Sequence, residues 1–526
     1  MLAIFRKSNA RTLGFQRFRH PGNTLSSQPQ LAETFSTEHL RVDLKGRSVR
    51  GGLLTVTSQG TQFLLQSVAT VVLARLLTPT DFGLVAMVTA ITGLGQAFAD
   101  LGLSEATIQR ENISHNEVST LFWINVAIGL VLMLITAGLA PVLAWFYREP
   151  RLKAVTLVLS LTFLIGGLRV QHDALLKRQM RFLSLAIRDV LSSALGVPVA
   201  IILAWRGAGY WAIVALPLTM NVTRMALSWL GVRWIPGLPR RDAKVGSLVA
   251  FGGNTATSYI IYNINRSADG ILIGWHWGAG PLGLYSKAYN LLMLPLRQLG
   301  GPIGNVLVPA FSRVQSDPAR FARYYLRAVN ISTWISAPVF GFLFVAAEPV
   351  ITVVLGSRWR AAAPVFQILA ISALAQLLLD LTVWSFVGRG QSSRLLKLLS
   401  VISPIMITSF AIGLPFGIKG VALSGSLVLV AMFPWILKFT FRGTDLTLKR
   451  LGRAIVWPIT LCVAGVLSAE IALYLIAPQR PTSQLLVAAL GFAAAYLLSA
   501  LIPKVRQEAL SFRDLANELR FLKIAS

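Results

Sequence analysis

The chain has 526 residues, of which 54% are hydrophobic and only 13% charged, with a formal net charge of +28 and a mean hydropathy of +0.64. A soluble chain of this length carries about a quarter charged residues, which excludes a water-soluble globular fold. The excess of Lys and Arg does not mark a nucleic-acid binder either, because those residues recur in short clusters between apolar runs and form no single basic face.

The first 50 residues hold nine Lys and Arg, several Ser and Gln, and no apolar stretch long enough for a signal-peptide core. Low hydrophobicity with like charge predicts a basic, disordered tail over residues 1–48. Attraction to anionic lipid head groups is its functional alternative. From residue 49 onward the sequence falls into apolar runs of about 20 residues, the length a helix needs to cross the hydrocarbon core. The runs lack period-two alternation and are rich in Leu, Ala, Val, Gly and Ser, so they read as helices and not as barrel strands.

Fourteen spans are predicted. Six lie near 51–77, 81–104, 118–146, 153–171, 182–205 and 209–231, and six more near 245–275, 281–309, 327–352, 362–386, 393–414 and 417–439. The last two lie near 453–477 and 483–503. Lys and Arg in the tails and in the loops after even-numbered spans outnumber those in the opposite loops by more than four to one. The positive-inside rule then places both termini in the cytoplasm.

The two halves resemble each other. Asp81-Phe82-Gly83-Leu84 opens the second span and Pro281-Leu282-Gly283-Leu284 opens the eighth, at an offset of 200. Later, Gln179 pairs with Gln391 at an offset of 212, and Gly209 with Gly420 at 211. Six spans per half is an even number, so the repeat is parallel, a plan used by transporters with a central cavity. The predicted fold is an all-α polytopic membrane protein built as two parallel six-helix lobes, residues 49–240 and 241–445. Two further helices follow over 446–503, and a cytoplasmic tail over 504–526.

Ionisable groups at membrane depth are costly and need a reason. The clearest group is Asn265-Arg266-Ser267-Ala268-Asp269, where Arg266 and Asp269 are three apart and share a helix face. A neutralised structural pair is one reading; a cavity-facing Arg266 that receives an anionic group is the other. Lys287 lies between Tyr285 and Tyr289 and reads as a snorkelling residue. Arg297 sits among Pro295, Pro302 and Pro309 in a span that reads as a hinge. Asp380 is deep enough to partner Arg266 or Lys287. Asp100 and Arg188-Asp189 fall near the cytoplasmic face and read as interfacial. The single cysteine, Cys462, lies in an apolar run, and the five histidines share no ligand spacing, so neither a metal nor a cofactor is expected. There is no phosphate-binding GxxxxGK[S/T] loop, no nucleophile elbow and no loop long enough to carry a soluble active site, so an enzyme is not expected.

Leu73-Ala74-Arg75-Leu76-Leu77-Thr78-Pro79-Thr80-Asp81-Phe82-Gly83-Leu84 resembles the signature of the oligosaccharide flippases of bacterial polysaccharide export. So does Asn265-Arg266-Ser267-Ala268-Asp269-Gly270-Ile271-Leu272-Ile273-Gly274, followed by Leu282-Gly283-Leu284-Tyr285-Ser286-Lys287-Ala288-Tyr289. The likeness runs from about residue 45 to 505; the basic tail departs from it, since members usually begin just before the first span. This resemblance implies fourteen helices, a cationic cavity and a place in the bacterial inner membrane. It also implies a polyprenyl-diphosphate-linked oligosaccharide as substrate, moved from the cytoplasmic to the periplasmic leaflet for lipopolysaccharide or exopolysaccharide synthesis. Membrane lipid is then a partner, together with polysaccharide polymerase and export machinery. Arg266 would bind the diphosphate, Asp269 would steer it, and Lys287 or Arg297 would assist. A cation-coupled multidrug antiporter of the same superfamily is the alternative, although Arg266 would compete with a cation at Asp269. A membrane-embedded polymerase or ligase fits less well, for want of a large loop.

Overall fold

The computed structural model describes residues 44–96, 103–110, 113–239, 267–499 and 501. The first half contains α1 (Leu44–Leu76), α2 (Pro79–Gln96), the short α3 (Leu103–Gln109) and α4 (His115–Phe146). It continues with α5 (Leu152–Arg178), α6 (Phe182–Trp205) and α7 (Tyr210–Val232). The second half opens with α8 (residues 267–277). Then come α9 (Ala279–Arg313), α10 (Pro318–Val345), α11 (Ala347–Val354) and α12 (Ala363–Gly388). Last are α13 (Ser392–Gly413), α14 (Gly417–Phe441), α15 (Leu448–Ile476) and α16 (Pro481–Ser499).

Nine helical segments among the described residues are long and apolar enough to cross a membrane, or ten if bent α9 counts as one span. This tally differs from fourteen for three reasons. Ser392–Phe441, which holds both α13 and α14, counts once. The first two helices fall short in hydropathy, α1 because of Thr55, Thr57, Ser58, Gln59, Thr61 and Gln62. Most of the seventh predicted span lies outside the described residues. Large apolar side chains are exposed along the bundle, among them Trp145, Trp205, Leu230 and Tyr474. A surface of that kind needs lipid, and the chain is a multi-pass membrane protein.

Helix ends are capped where the chain leaves an apolar run. Before α4, the Ser114 hydroxyl accepts from the Glu117 N–H at 3.3 Å, and a Glu117 carboxylate oxygen accepts from the Ser114 N–H at 2.8 Å. Arg110 pairs with the same carboxylate at 2.8 Å. Asp317 caps α10, and Thr447 caps α15. Each cap satisfies backbone donors that a helix start leaves without partners. The first helix begins at Leu44, inside the segment read as basic tail; residues 1–43 and 502–526 lie outside the described residues.

Within the first half α1 packs on α6, α6 on α7, and α5 on both α4 and α7. Within the second, α12 packs on α9, α10 and α14, while α15 and α16 lie against each other and α15 against α10. The halves meet chiefly through α2 against α9. That crossing is unusually close. A Cβ on Gly83 would stand 1.7 Å from the Ala279 carbonyl oxygen, and one on Gly283 would stand 1.8 Å from the Pro79 carbonyl oxygen. Only glycine allows two backbones to approach this far. The two positions correspond in the sequence repeat, so each motif glycine receives the backbone that opens the other motif.

Around this crossing the same face is tied further. Trp359, fully buried, donates from Nε1 to the Ala74 carbonyl at 2.8 Å and meets Phe82 edge-on at 5.3 Å. Arg75 donates to the Val353 carbonyl at 2.7 Å. On the opposite face the halves repeat a cap: Arg181 donates to the Gly231 carbonyl at 2.7 Å, and Arg394 to the Arg442 carbonyl at 3.3 Å. Residues 231 and 442 are again 211 apart. The long α9 bends by 50° between Gln298 and Ile303. Pro302 lacks the N–H that would reach the Gln298 carbonyl, which permits a bend where the proline-rich span was expected to hinge.

Candidate functional site

Asp269 on α8 is the one described charged member of the polar stretch singled out in the sequence; Asn265 and Arg266 lie outside the described residues, as does Asp100. The tight turn at Gly278, with φ of 80°, folds α9 back alongside α8. The reversal brings Tyr285 to Asp269, and its hydroxyl donates to a carboxylate oxygen at 2.7 Å. The other carboxylate oxygen accepts from the Gly270 N–H at 2.7 Å. Tyr289 lies parallel to Tyr285, ring centres 6.5 Å apart. Together with Ser372, Gln376 and Ser426 these residues line a cavity of about 100 Å³, whose apolar walls include Leu369, Met406, Phe410 and Leu429.

Asp380 on α12 belongs to the same neighbourhood. Its carboxylate accepts from Gln376 Nε2 at 3.1 Å, and Gln376 lines the Asp269 cavity. Lys287 points elsewhere, toward the junction of the halves. Its ammonium lies 4.1 Å from the centre of the Phe82 ring, a cation–π contact between one repeated motif and the other. Phe82 is therefore held between Trp359 and Lys287. Arg297 is exposed on α9, about 18 Å along the helix from Tyr285 by helical rise. The four described candidates thus divide: Asp269 lines the pocket, Asp380 adjoins it through Gln376, Lys287 serves the crossing, and Arg297 stands apart.

Sequence reasoning missed a second polar cluster. Arg188 is buried, and it pairs with Asp173 as well as with neighbouring Asp189. Arg169 and Arg224 join the same network. The spacing of Arg169 and Asp173, four apart on one helix, was the available signal.

The teichuronic acid biosynthesis protein TuaB of Bacillus subtilis (strain 168) is 25% identical over 319 residues, covering 60% of this chain and 66% of TuaB. The lipopolysaccharide biosynthesis protein WzxC of Escherichia coli (strain K12) is 27% identical over 309 residues, covering 58% of this chain and 62% of WzxC. Both alignments span less than two thirds of the relative's own length. Among solved structures, the lipid II flippase MurJ in an inward closed conformation superposes with a TM-score of 0.67 at 13% identity. It covers 85% of this chain and 98% of MurJ, a likeness of fold. Residues 72–364, more than half of the chain and including both repeated motifs, match the family described as polysaccharide biosynthesis protein, and the chain belongs to that family.

Proposed function

We propose that this protein is a flippase. It moves polyprenyl-diphosphate-linked oligosaccharide from the cytoplasmic to the periplasmic leaflet of the bacterial inner membrane by alternating access, and is not an enzyme. Its fourteen helices form two parallel six-helix lobes, residues 49–240 and 241–445, with a helix pair over 446–503 and both tails, 1–48 and 504–526, in the cytoplasm. The moved oligosaccharide passes to polymerase and export machinery. The observation that carries this reading is the α2–α9 crossing. Two corresponding glycines bring the halves into backbone contact at one face, while at the other face Arg181 and Arg394 each bond a helix end of their own half. A closed face built from two rigid halves opens by rocking one against the other. The substrate class is supported by relatives named for teichuronic acid and lipopolysaccharide biosynthesis and by a structural neighbour named as a lipid II flippase.

In this reading Arg266, three residues before Asp269, receives the diphosphate through the charge-assisted hydrogen bonds that a guanidinium fork makes to phosphate oxygens. Asp269, held by Tyr285, steers it, Asn265 lines the site and Asp380 adjoins it through Gln376, while Lys287 at the crossing and Arg297 farther along α9 would assist only after the halves move. The test is complementation of a bacterium lacking its own repeat-unit flippase, with wild-type, Arg266→Ala and Arg266→Lys chains at matched membrane levels. Wild type should restore surface polysaccharide, Arg266→Ala should abolish it, and Arg266→Lys should restore it in part. Full rescue by Arg266→Ala would remove the arginine from the site. The small carboxylate cavity favours one second reading, a cation-coupled multidrug antiporter. Cation-dependent drug efflux with no polysaccharide rescue would put that reading in place of the flippase.

A further inference from the structure

The network missed in the sequence lies within the first half. Arg169 pairs with Asp173, one turn on along α5, at 3.0 Å. Arg188 on α6 bridges Asp173 and Asp189. Arg224 on α7 lies 3.3 Å from Asp189 and donates to the Ser192 hydroxyl at 3.2 Å and to Gln62 of α1 at 3.5 Å. Ser228 donates to Asp173 at 2.6 Å. By helical rise, Arg169, Arg188 and Arg224 lie about 9–14 Å from the helix ends on the face opposite the glycine crossing.

Three features separate this cluster from a structural salt-bridge network. First, among the described residues three guanidinium groups face two carboxylates, an excess of one positive charge at membrane depth, where a charge is expensive. Second, hydrogen bonding is incomplete: Arg169 Nε is buried with no partner. Third, the half-to-half repeat does not preserve it. At an offset of 211, Arg169, Arg188 and Arg224 correspond to Asp380, Leu399 and Trp435, so the shared fold does not require the arginines. The three also differ in reach. The Arg188 side chain is 9% exposed and is fixed between the carboxylates, whereas those of Arg169 and Arg224 are 20% and 23% exposed.

We propose that Arg169 and Arg224 form an anion subsite for a diphosphate group, with Arg188 and the two aspartates holding the two forks apart. The incoming diphosphate supplies negative charge to the partly exposed side chains of Arg169 and Arg224. Its position, on the face away from the closed crossing, makes it the first station for the diphosphate of a lipid-linked substrate before Arg266. That assignment rests on the flippase reading; the anion chemistry of the cluster does not.

The test is calorimetric titration of the purified full chain in detergent with inorganic diphosphate, farnesyl diphosphate and farnesol. Wild type should bind both diphosphates and not farnesol; tighter binding of farnesyl diphosphate would assign the lipid-linked source, and equal binding the diphosphate group alone. Arg224→Gln should weaken both by about tenfold or more, as loss of a charge-assisted hydrogen bond does. Arg169→Gln should do likewise. The decisive variant is Asp189→Asn. It removes a competing carboxylate, so it should tighten diphosphate binding by roughly threefold or more even as it lowers the melting temperature. A purely structural network predicts the lower melting temperature with unchanged affinity, and that result, or unchanged affinity in Arg224→Gln and Arg169→Gln, overturns the subsite. Polysaccharide rescue separates the two readings: rescue by wild type with unaltered binding in these variants removes the subsite alone. Altered binding with drug efflux in place of rescue removes the flippase alone.

Discussion

Gly83→Ala and Gly283→Ala are each expected to abolish polysaccharide rescue while leaving membrane insertion intact. A methyl group at either position would sit 1.7 or 1.8 Å from a backbone carbonyl oxygen of the other half. Backbone cannot turn aside as a side-chain tip can, so α2 and α9 must separate. Overpacking of this kind costs about 1–3 kcal/mol, and here the whole cost falls on the closed state. At about 1.4 kcal/mol per factor of ten, its population falls by up to about a hundredfold relative to the open state. A transporter that cannot close one face cannot cycle. Gly138→Ala provides the control, since nothing lies within 4 Å of its added Cβ and alanine favours a helix interior by up to about 1 kcal/mol. Rescue should be complete there. Full rescue by Gly83→Ala would mean that the crossing is dispensable.

Trp359→Ala is expected to produce the largest loss of stability. The indole is fully buried, and removing such a side chain costs about 3–5 kcal/mol when the site cannot collapse. It also leaves the Ala74 carbonyl without its 2.8 Å donor and takes one wall from Phe82, which Lys287 covers on its other flank. Trp359→Phe keeps most of the ring and loses the hydrogen bond, at about 1 kcal/mol. Thermal unfolding in detergent should rank wild type above Trp359→Phe and Trp359→Phe well above Trp359→Ala. An unchanged midpoint for Trp359→Ala would show that the tie between the halves carries no stability.

Much of this molecule is legible in its sequence because a bilayer admits few solutions. Backbone groups in hydrocarbon must bond internally, so apolar runs of span length become helices, and α4, α5, α6 and α12 lie over their predicted spans. The repeated motifs were also visible, as Gly83 and Gly283. Their reciprocal contact was not, because the partner of each glycine lies about 200 residues away and nothing local marks a close backbone approach. At Arg188 the adjacent Asp189 was visible, but the second partner, Asp173 on the preceding helix, was not. Arg224 carried no signal at all within Asn221-Val222-Thr223-Arg224-Met225-Ala226. A long apolar run hides one arginine until the facing carboxylate on another helix is known. Lys287 illustrates the same limit: nothing local shows that the ring its ammonium meets, Phe82, belongs to the other half.

The most direct measurement locks the crossing and follows transport. On a Cys462→Ala background, Thr80→Cys and Gly280→Cys place two thiols where a Cβ at 280 would lie 3.6 Å from Thr80 Oγ1, close to the spacing a disulfide needs. The protein is reconstituted in vesicles with lipid-linked oligosaccharide from the strain that it rescues, and the sugar reaching the far leaflet is followed with a lectin. Movement faster than in protein-free vesicles, stopped by oxidation and restored by a reductant, is the result expected of a flippase that works by opening and closing this face. Movement no faster than in protein-free vesicles, or undiminished once the disulfide has formed, would contradict it.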